Sequence, residues 1–256
     1  MRATEFEFRY RFWLILLMYF AGFGCYAFDH RNVSEAVLMW VANRSGIYPN
    51  AVGVIHAIQA LFTVSALLIA TAAWIRTWGG AYLRTEVVHD VNTRTEKLVV
   101  DGPYRHLRNP LYLGNIFLAA GFAMLASRTG SVIVLLGNLL IVLRLIGWEE
   151  AAMAQSQGEA YHAYRGAVPR LWPSLRPRLP AGGMEPRWLQ AFLGESHLWI
   201  FAVAGFLYAR KLNLHFYYTI LWIGLAARIL VWNVLDRARR RSSPTPAPGR
   251  PIPPTP

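Results

Sequence analysis

Residues 109–148 read NPLYLGNIFLAAGFAMLASRTGSVIVLLGNLLIVLRLIGW. Asn109 to Ser127 carries no charged residue, Thr129 to Trp148 carries only Arg144, and the two stretches meet at Arg128-Thr129-Gly130. About 20 apolar residues suffice for a helix to cross a hydrocarbon core of roughly 30 Å. A connection this short between two such helices forces an antiparallel hairpin.

Further runs of the same kind lie on both sides of this hairpin. Phe12 to Phe28 follows Arg2, Arg9 and Arg11; Glu5 and Glu7 spoil a basic leader and no small-residue cleavage site follows, so it reads as a retained signal anchor. Ser45 to Ile75 is the longest stretch without Lys, Arg, Asp or Glu, Ser196 to Ala209 is shorter, and His215 to Leu235 is broken by Arg228. These runs predict an all-α polytopic membrane bundle of about six transmembrane helices. It forms one membrane-embedded domain over residues 1–235, followed by a tail, 236–256, that is basic and then Pro-rich and disordered.

Composition agrees. The 256 residues are 55% hydrophobic and 16% charged, with 26 Lys+Arg against 14 Asp+Glu for a net charge of +12, and the mean hydropathy is +0.28. Soluble domains carry about a quarter charged residues, so a disordered chain, a nucleic-acid-binding domain and a disulfide scaffold are all poor readings. The single Cys25 makes neither an internal disulfide nor a cysteine metal cluster. Basic residues concentrate in alternate connections: three before the first run, six from Arg76 to Arg108, five within 149–196 and five after Asp236, against two, one and two in the intervening loops. The positive-inside rule then places both termini in the cytoplasm, where the arginines attract anionic lipid headgroups.

Two of these basic connections carry chemistry. In the first, Gly102-Pro103 marks a turn and Asn109-Pro110 opens a helix, with Asn109 expected to cap an early amide and Pro110 at the first helical position. Flanked by Arg105 and Arg108, that helix start also suits a carboxylate or phosphate. The second holds Glu149-Glu150, Tyr161, Tyr164 and Val168-Pro169-Arg170. Paired glutamates at a helix C-terminus oppose the local dipole; they are either the solvated start of an interfacial helix or anion partners for a cationic ligand. Asn138 and Glu149, eleven residues apart, fall about 20° apart on one face, predicting a polar stripe leading to the glutamates. Arg144 and Arg228 must pair with protein or snorkel, and His56 and Gln59 read as helix–helix hydrogen bonding.

The segments Gly102-Pro103-Tyr104-Arg105, Arg108-Asn109-Pro110, Tyr112-Leu113-Gly114, Glu149-Glu150, Tyr161, Tyr164 and Val168-Pro169-Arg170 together resemble the isoprenylcysteine carboxyl methyltransferase and phospholipid N-methyltransferase superfamily of integral membrane methyltransferases. The resemblance covers residues 76–173. It implies an S-adenosylmethionine-dependent methyltransferase with a lipophilic acceptor, a prenylcysteine-type carboxylate or a phospholipid-type amine. The cofactor would lie among Val100, Gly102, Tyr104, His106, Asn109, Tyr112 and Gly114, with Glu149 or Glu150 on its ammonium group. Arg105, Arg108, Glu150 and Arg170 would serve the acceptor. Asn109 stands where the family has histidine; it hydrogen-bonds but cannot titrate, and His106 is the neighbouring alternative. Neither metal nor nucleic acid enters this picture. The expected location is a multi-pass position in the membrane, the cytoplasmic membrane in a bacterial cell, with the active site facing the cytoplasm. A nicotinamide-dependent membrane reductase and a non-catalytic membrane scaffold are the rival readings.

Overall fold

The computed structural model describes residues 1–46, 48, 50–83 and 98–242, with side chains up to residue 234. The described residues are helical, and their one ladder contact is an isolated antiparallel bridge between Asn32 and Ser127. The helices are α1 (Glu5–Arg9), α2 (Arg11–Gly24), α3 (Val33–Ser45), α4 (Ala51–Tyr82), α5 (Pro110–Ala123), α6 (Arg128–Gln157), α7 (Glu159–Ala167), α8 (Trp188–Lys211) and α9 (Leu214–Ser242). Among the described residues, α4, α6, α8 and Leu214–Val234 of α9 are long and apolar enough to cross a membrane, whereas the apolar helices Arg11–Ala27 and Pro110–Ala123 are shorter. At 1.5 Å per residue α5 is about 21 Å long. Helix α9 runs through residues 236–242, and the Pro-rich part of the expected tail lies outside the described residues.

The packing is that of a protein in lipid. Phe20, Leu67, Leu136, Leu140, Val203 and Trp222 are exposed on the outside, while Ser65, Ala66, Ala72, Ala73, Ala119, Ala202 and Ala204 are buried between helices. Hydrocarbon supplies no hydrophobic force between apolar helices, so contact depends on small residues that let backbones approach. Helix α4 packs along α5 and α8 on this basis. A Cβ at Gly121 of α5 would stand 2.6 Å from Ile69 Cγ1 and 3.0 Å from the Ser65 carbonyl of α4.

Charges do not end the helices where their positions in the sequence suggest. The run ending at Ile75 continues as α4 to Tyr82, and the run expected from Ser196 starts eight residues earlier, at Trp188. Arg76 and Glu195, the charges at those apparent ends, pair with each other: Nε and Nη2 donate to the two carboxylate oxygens at 2.9 and 2.8 Å, and Arg76 Nη1 reaches Asn115 Oδ1 on α5 at 2.7 Å. Arg144 is paired as well, donating twice to Glu7 at 2.8 and 2.7 Å. Hydrogen bonds from Arg144, followed by the Thr4 amide of the capping box at the start of α1, hold the Glu7 carboxyl down at about 2. Arg228 Nε donates to Ser196 Oγ, and Gln59 donates to the Arg210 carbonyl across α4 and α8.

Two features depart from the sequence reading. Helix α3 fills part of the first loop, capped by Asn32 on the Ser34 amide and closed by Gly46 at φ 69°. Within α6, residues Ile133–Gly137 form a π-helical turn, and the buried Asn138 there donates to the Val134 carbonyl one turn back. Asn138 is therefore satisfied by its own helix, and the expected polar stripe down to Glu149 does not form.

Candidate active site at the α5–α6 mouth

Residues 98–109 enter the site along a strap formed by residues 168–187. Leu98 and Val100 pack on the buried Tyr161, Tyr164 and Val168. The buried Asp101 carboxylate accepts from the Gly182 and Met184 amides at 2.6 and 2.9 Å. Gly102 follows at φ 56°, with the Tyr82 ring against the place a Cβ would occupy, so both backbone and space require glycine. The short 3-10 turn Gly102–Arg105 then buries Pro103 and Tyr104, and the Tyr104 carbonyl accepts from the Tyr164 hydroxyl at 2.9 Å. Arg105 Nε donates to the Leu179 carbonyl at 2.7 Å. His106 Nδ1 lies 2.8 Å from the Ser174 carbonyl; a carbonyl only accepts, so Nδ1 carries the proton. The ring faces Trp78 of α4 at 5.9 Å.

The second half of the site is a charge cluster on α6. Helix α6 continues through Glu149-Glu150 to Gln157, but the pair is not a solvated helix end. Glu150, with a side chain 11% exposed, lies 3.3 Å from Arg108 Nη2 and 3.1 Å from Arg170 Nε. Asn109 Nδ2 donates to Glu150 Oε1 at 3.1 Å and to the Arg170 carbonyl at 3.0 Å. Tyr112 donates its hydroxyl to Glu149 Oε1 at 2.9 Å. Pro110 does open α5, but Asn109 makes no side-chain cap to that helix. The expected cap is replaced because a buried carboxylate binds the amide donor more strongly than a neutral partner would. Arg108 Nε and Arg170 Nε are buried without hydrogen-bond partners, so Arg170 Nε touches Glu150 as a charge without hydrogen-bond alignment.

The predicted residues therefore divide into two groups. Arg108, Asn109, Tyr112, Glu149, Glu150 and Arg170 converge on one another. Val100, Gly102, Tyr104, Arg105 and His106 hold the strap beside them. Gly114 belongs to the helix contact: a Cβ there would stand 2.5 Å from Arg76 Cγ. The sequence reading missed Asp101, Asn115 and Glu195. Of these, Glu195 carried a usable signal, a carboxylate close to an apolar helix.

Burial, followed by the charge of Glu150, pushes the Tyr161 hydroxyl up to about 12. Burial likewise pushes Tyr164 upward. Both remain hydrogen-bond donors at neutral pH. A cleft of about 460 Å³ opens beside Glu150 and Arg170, lined also by Arg2, Gly147, His162 and Arg165. No group of three metal-ligating side chains occurs among the described residues.

Residues 60–160 match the phospholipid methyltransferase family. The matched segment runs from α4 to the start of α7 and so contains the Asn109–Glu150 and Tyr112–Glu149 contacts. It confirms the resemblance of the two signature segments to the membrane methyltransferase superfamily, and with the apolar helices it makes the chain an integral membrane protein of methyltransferase type. Neither a curated protein nor a solved structure matches the chain.

Proposed function

We propose that the protein is an S-adenosylmethionine-dependent methyltransferase acting on a lipophilic acceptor, with its active site at the α5–α6 mouth facing the cytoplasm. The observation that carries this reading is the Asn109–Glu150 hydrogen bond, which joins the two signature segments across 41 residues of sequence. The cofactor is a sulfonium that supplies an electrophilic methyl group, and its ammonium and carboxylate ends need partners of opposite charge. The residues present fit it. Glu150 already balances Arg108 and Arg170, which leaves Glu149 as the carboxylate for the ammonium. The buried Arg108 Nε has hydrogen-bonding capacity for a carboxylate.

The chain's own residues then position and shield. Methyl transfer by in-line displacement depends on holding the acceptor against the methyl group, and a 1 Å error costs on the order of 100-fold in rate. Asn109 and Arg108 fix Glu150, Tyr112 orients Glu149, and the strap of residues 168–187 covers loop 98–109 through Asp101 and Arg105. The family match favours a phospholipid-type amine over a prenylcysteine-type carboxylate. An amine must lose a proton before it attacks, and Glu149 or His106 is the group to take it; His106, protonated at Nδ1, presents Nε2 as the acceptor. Asn109 has no titratable proton and serves as a brace.

Calorimetric titration of S-adenosylmethionine into the protein in detergent tests the reading. Saturable binding that weakens about tenfold or more in Glu149→Gln is expected. A folded wild-type protein that binds no cofactor would overturn it and make a nicotinamide cofactor the next ligand to try.

A further inference from the structure

The cleft beside Glu150 does not suit the cofactor. Arg2, Arg165 and Arg170 line it, and its sole lining carboxylate is Glu150, whose charge is already shared with Arg108. His162 adds a further donor at the rim. The cleft therefore carries a surplus of positive charge, and S-adenosylmethionine, with two cationic centres and one carboxylate, gains nothing there. An anion with several acceptor oxygens does gain: planar guanidinium groups match phosphate geometry in paired hydrogen bonds. Arg170 Nε is buried without a hydrogen-bond partner, and Arg2 and Arg165 are exposed at the cleft. A volume of about 460 Å³ exceeds what a bare ion needs and falls in the range of small-molecule sites. The cleft opens along the part of α6 that follows its apolar stretch, at the level where lipid headgroups lie.

We propose that this cleft is a phosphate-binding site formed by Arg2, Arg165, Arg170 and His162, taking the phosphate of an ester such as a phospholipid headgroup. The site stands whether or not the neighbouring residues transfer a methyl group, so its test reads binding alone. Inorganic phosphate and dihexanoyl phosphatidylglycerol below its micelle concentration are titrated separately into the full chain in detergent at constant ionic strength. Arg165→Gln and Arg2→Gln are compared with Arg176→Gln, an exposed arginine of the strap that does not line the cleft.

Both probes are expected to bind saturably and to compete. Arg165→Gln and Arg2→Gln should each raise Kd about tenfold, roughly 1.4 kcal/mol, while Arg176→Gln changes it less than twofold. Binding of inorganic phosphate without the lipid would support the phosphate site and assign it to a soluble ester. Absence of binding by either probe to the folded protein, or equal weakening by Arg176→Gln, would overturn the proposal, since the latter marks a diffuse surface field.

Discussion

The two ends of the α5–α6 hairpin are both held by polar networks, and they are built differently. At the loop end, the Asp29 carboxylate accepts from the Thr129 amide and hydroxyl and from Arg128. Tyr26 and Asn32 donate to the Leu125 carbonyl, Ser34 donates to the Met124 carbonyl, and Ser127 caps the Gly130 amide. These partners are largely backbone groups left over where one helix ends and the next begins, and the network closes the turn. At the mouth, side-chain charges meet side-chain charges around Glu150, and two buried guanidinium nitrogens remain without hydrogen bonds. A network that satisfies the backbone serves the fold. One that keeps unused charged donors has capacity for a ligand.

Substitutions at the mouth should therefore cost activity most, and those at the loop end should cost stability alone. Glu150→Gln is expected to be the most severe. It leaves Arg108 and Arg170 without a counter-charge, which for a buried pair costs about 3 kcal/mol, and it should lower methyl transfer at least 100-fold; thermal unfolding and single-turnover rates read the two effects. Gly102→Ala forces a side chain into the left-handed region against Tyr82 and should destabilise by about 2 kcal/mol, visible as a lowered unfolding temperature. Asp101→Asn weakens the clasp on Gly182 and Met184 by about 1–2 kcal/mol, and amide exchange over residues 174–187 should rise while the hairpin loop stays protected.

At the loop end the comparison is sharpened by acid. The Thr129 amide, followed by the Thr129 hydroxyl and Arg128, holds Asp29 at about 2 against burial. A carboxyl with a depressed pKa stabilises above its ordinary value near 3.9 and loses that contribution as pH falls through about 2. Wild type should destabilise across that window, and Asp29→Asn should be weaker at neutral pH and flatter below pH 4, with cofactor affinity unchanged. The smallest effect is expected from Asn109→His, which restores the family's residue but keeps at most one of two hydrogen bonds, a loss of about 1 kcal/mol readable as a few-fold change in activity.

The apolar runs were legible because, in lipid, a stretch of uncharged residues is itself sufficient reason for a helix. Helix ends were not, since Arg76 and Glu195 neutralise each other and the chain stays helical through both charges. Asn109, Tyr112, Glu149 and Glu150 could be expected to meet because motif order brought their segments together. The role of Asn109 could not be read, because helix capping and carboxylate binding use the same residue and the competing acceptor lies 41 residues away. The clasp at Asp101 leaves little mark in sequence, since its partners are main-chain amides that any residue supplies.

The π turn at Ile133–Gly137 bears on how this chain tolerates insertion and deletion. Such a turn holds one residue more than an α-helical path would. Deleting a single residue there restores the ordinary ladder and keeps α6 intact, yet turns everything downstream by about 100°. Glu149 would leave Tyr112, and Glu150 would leave Asn109. A length change of one residue, silent to hydropathy and far from the mouth, would thus act as a switch on the site's assembly, and homologous chains that gain or lose a residue in this stretch should carry a compensating change before Glu149.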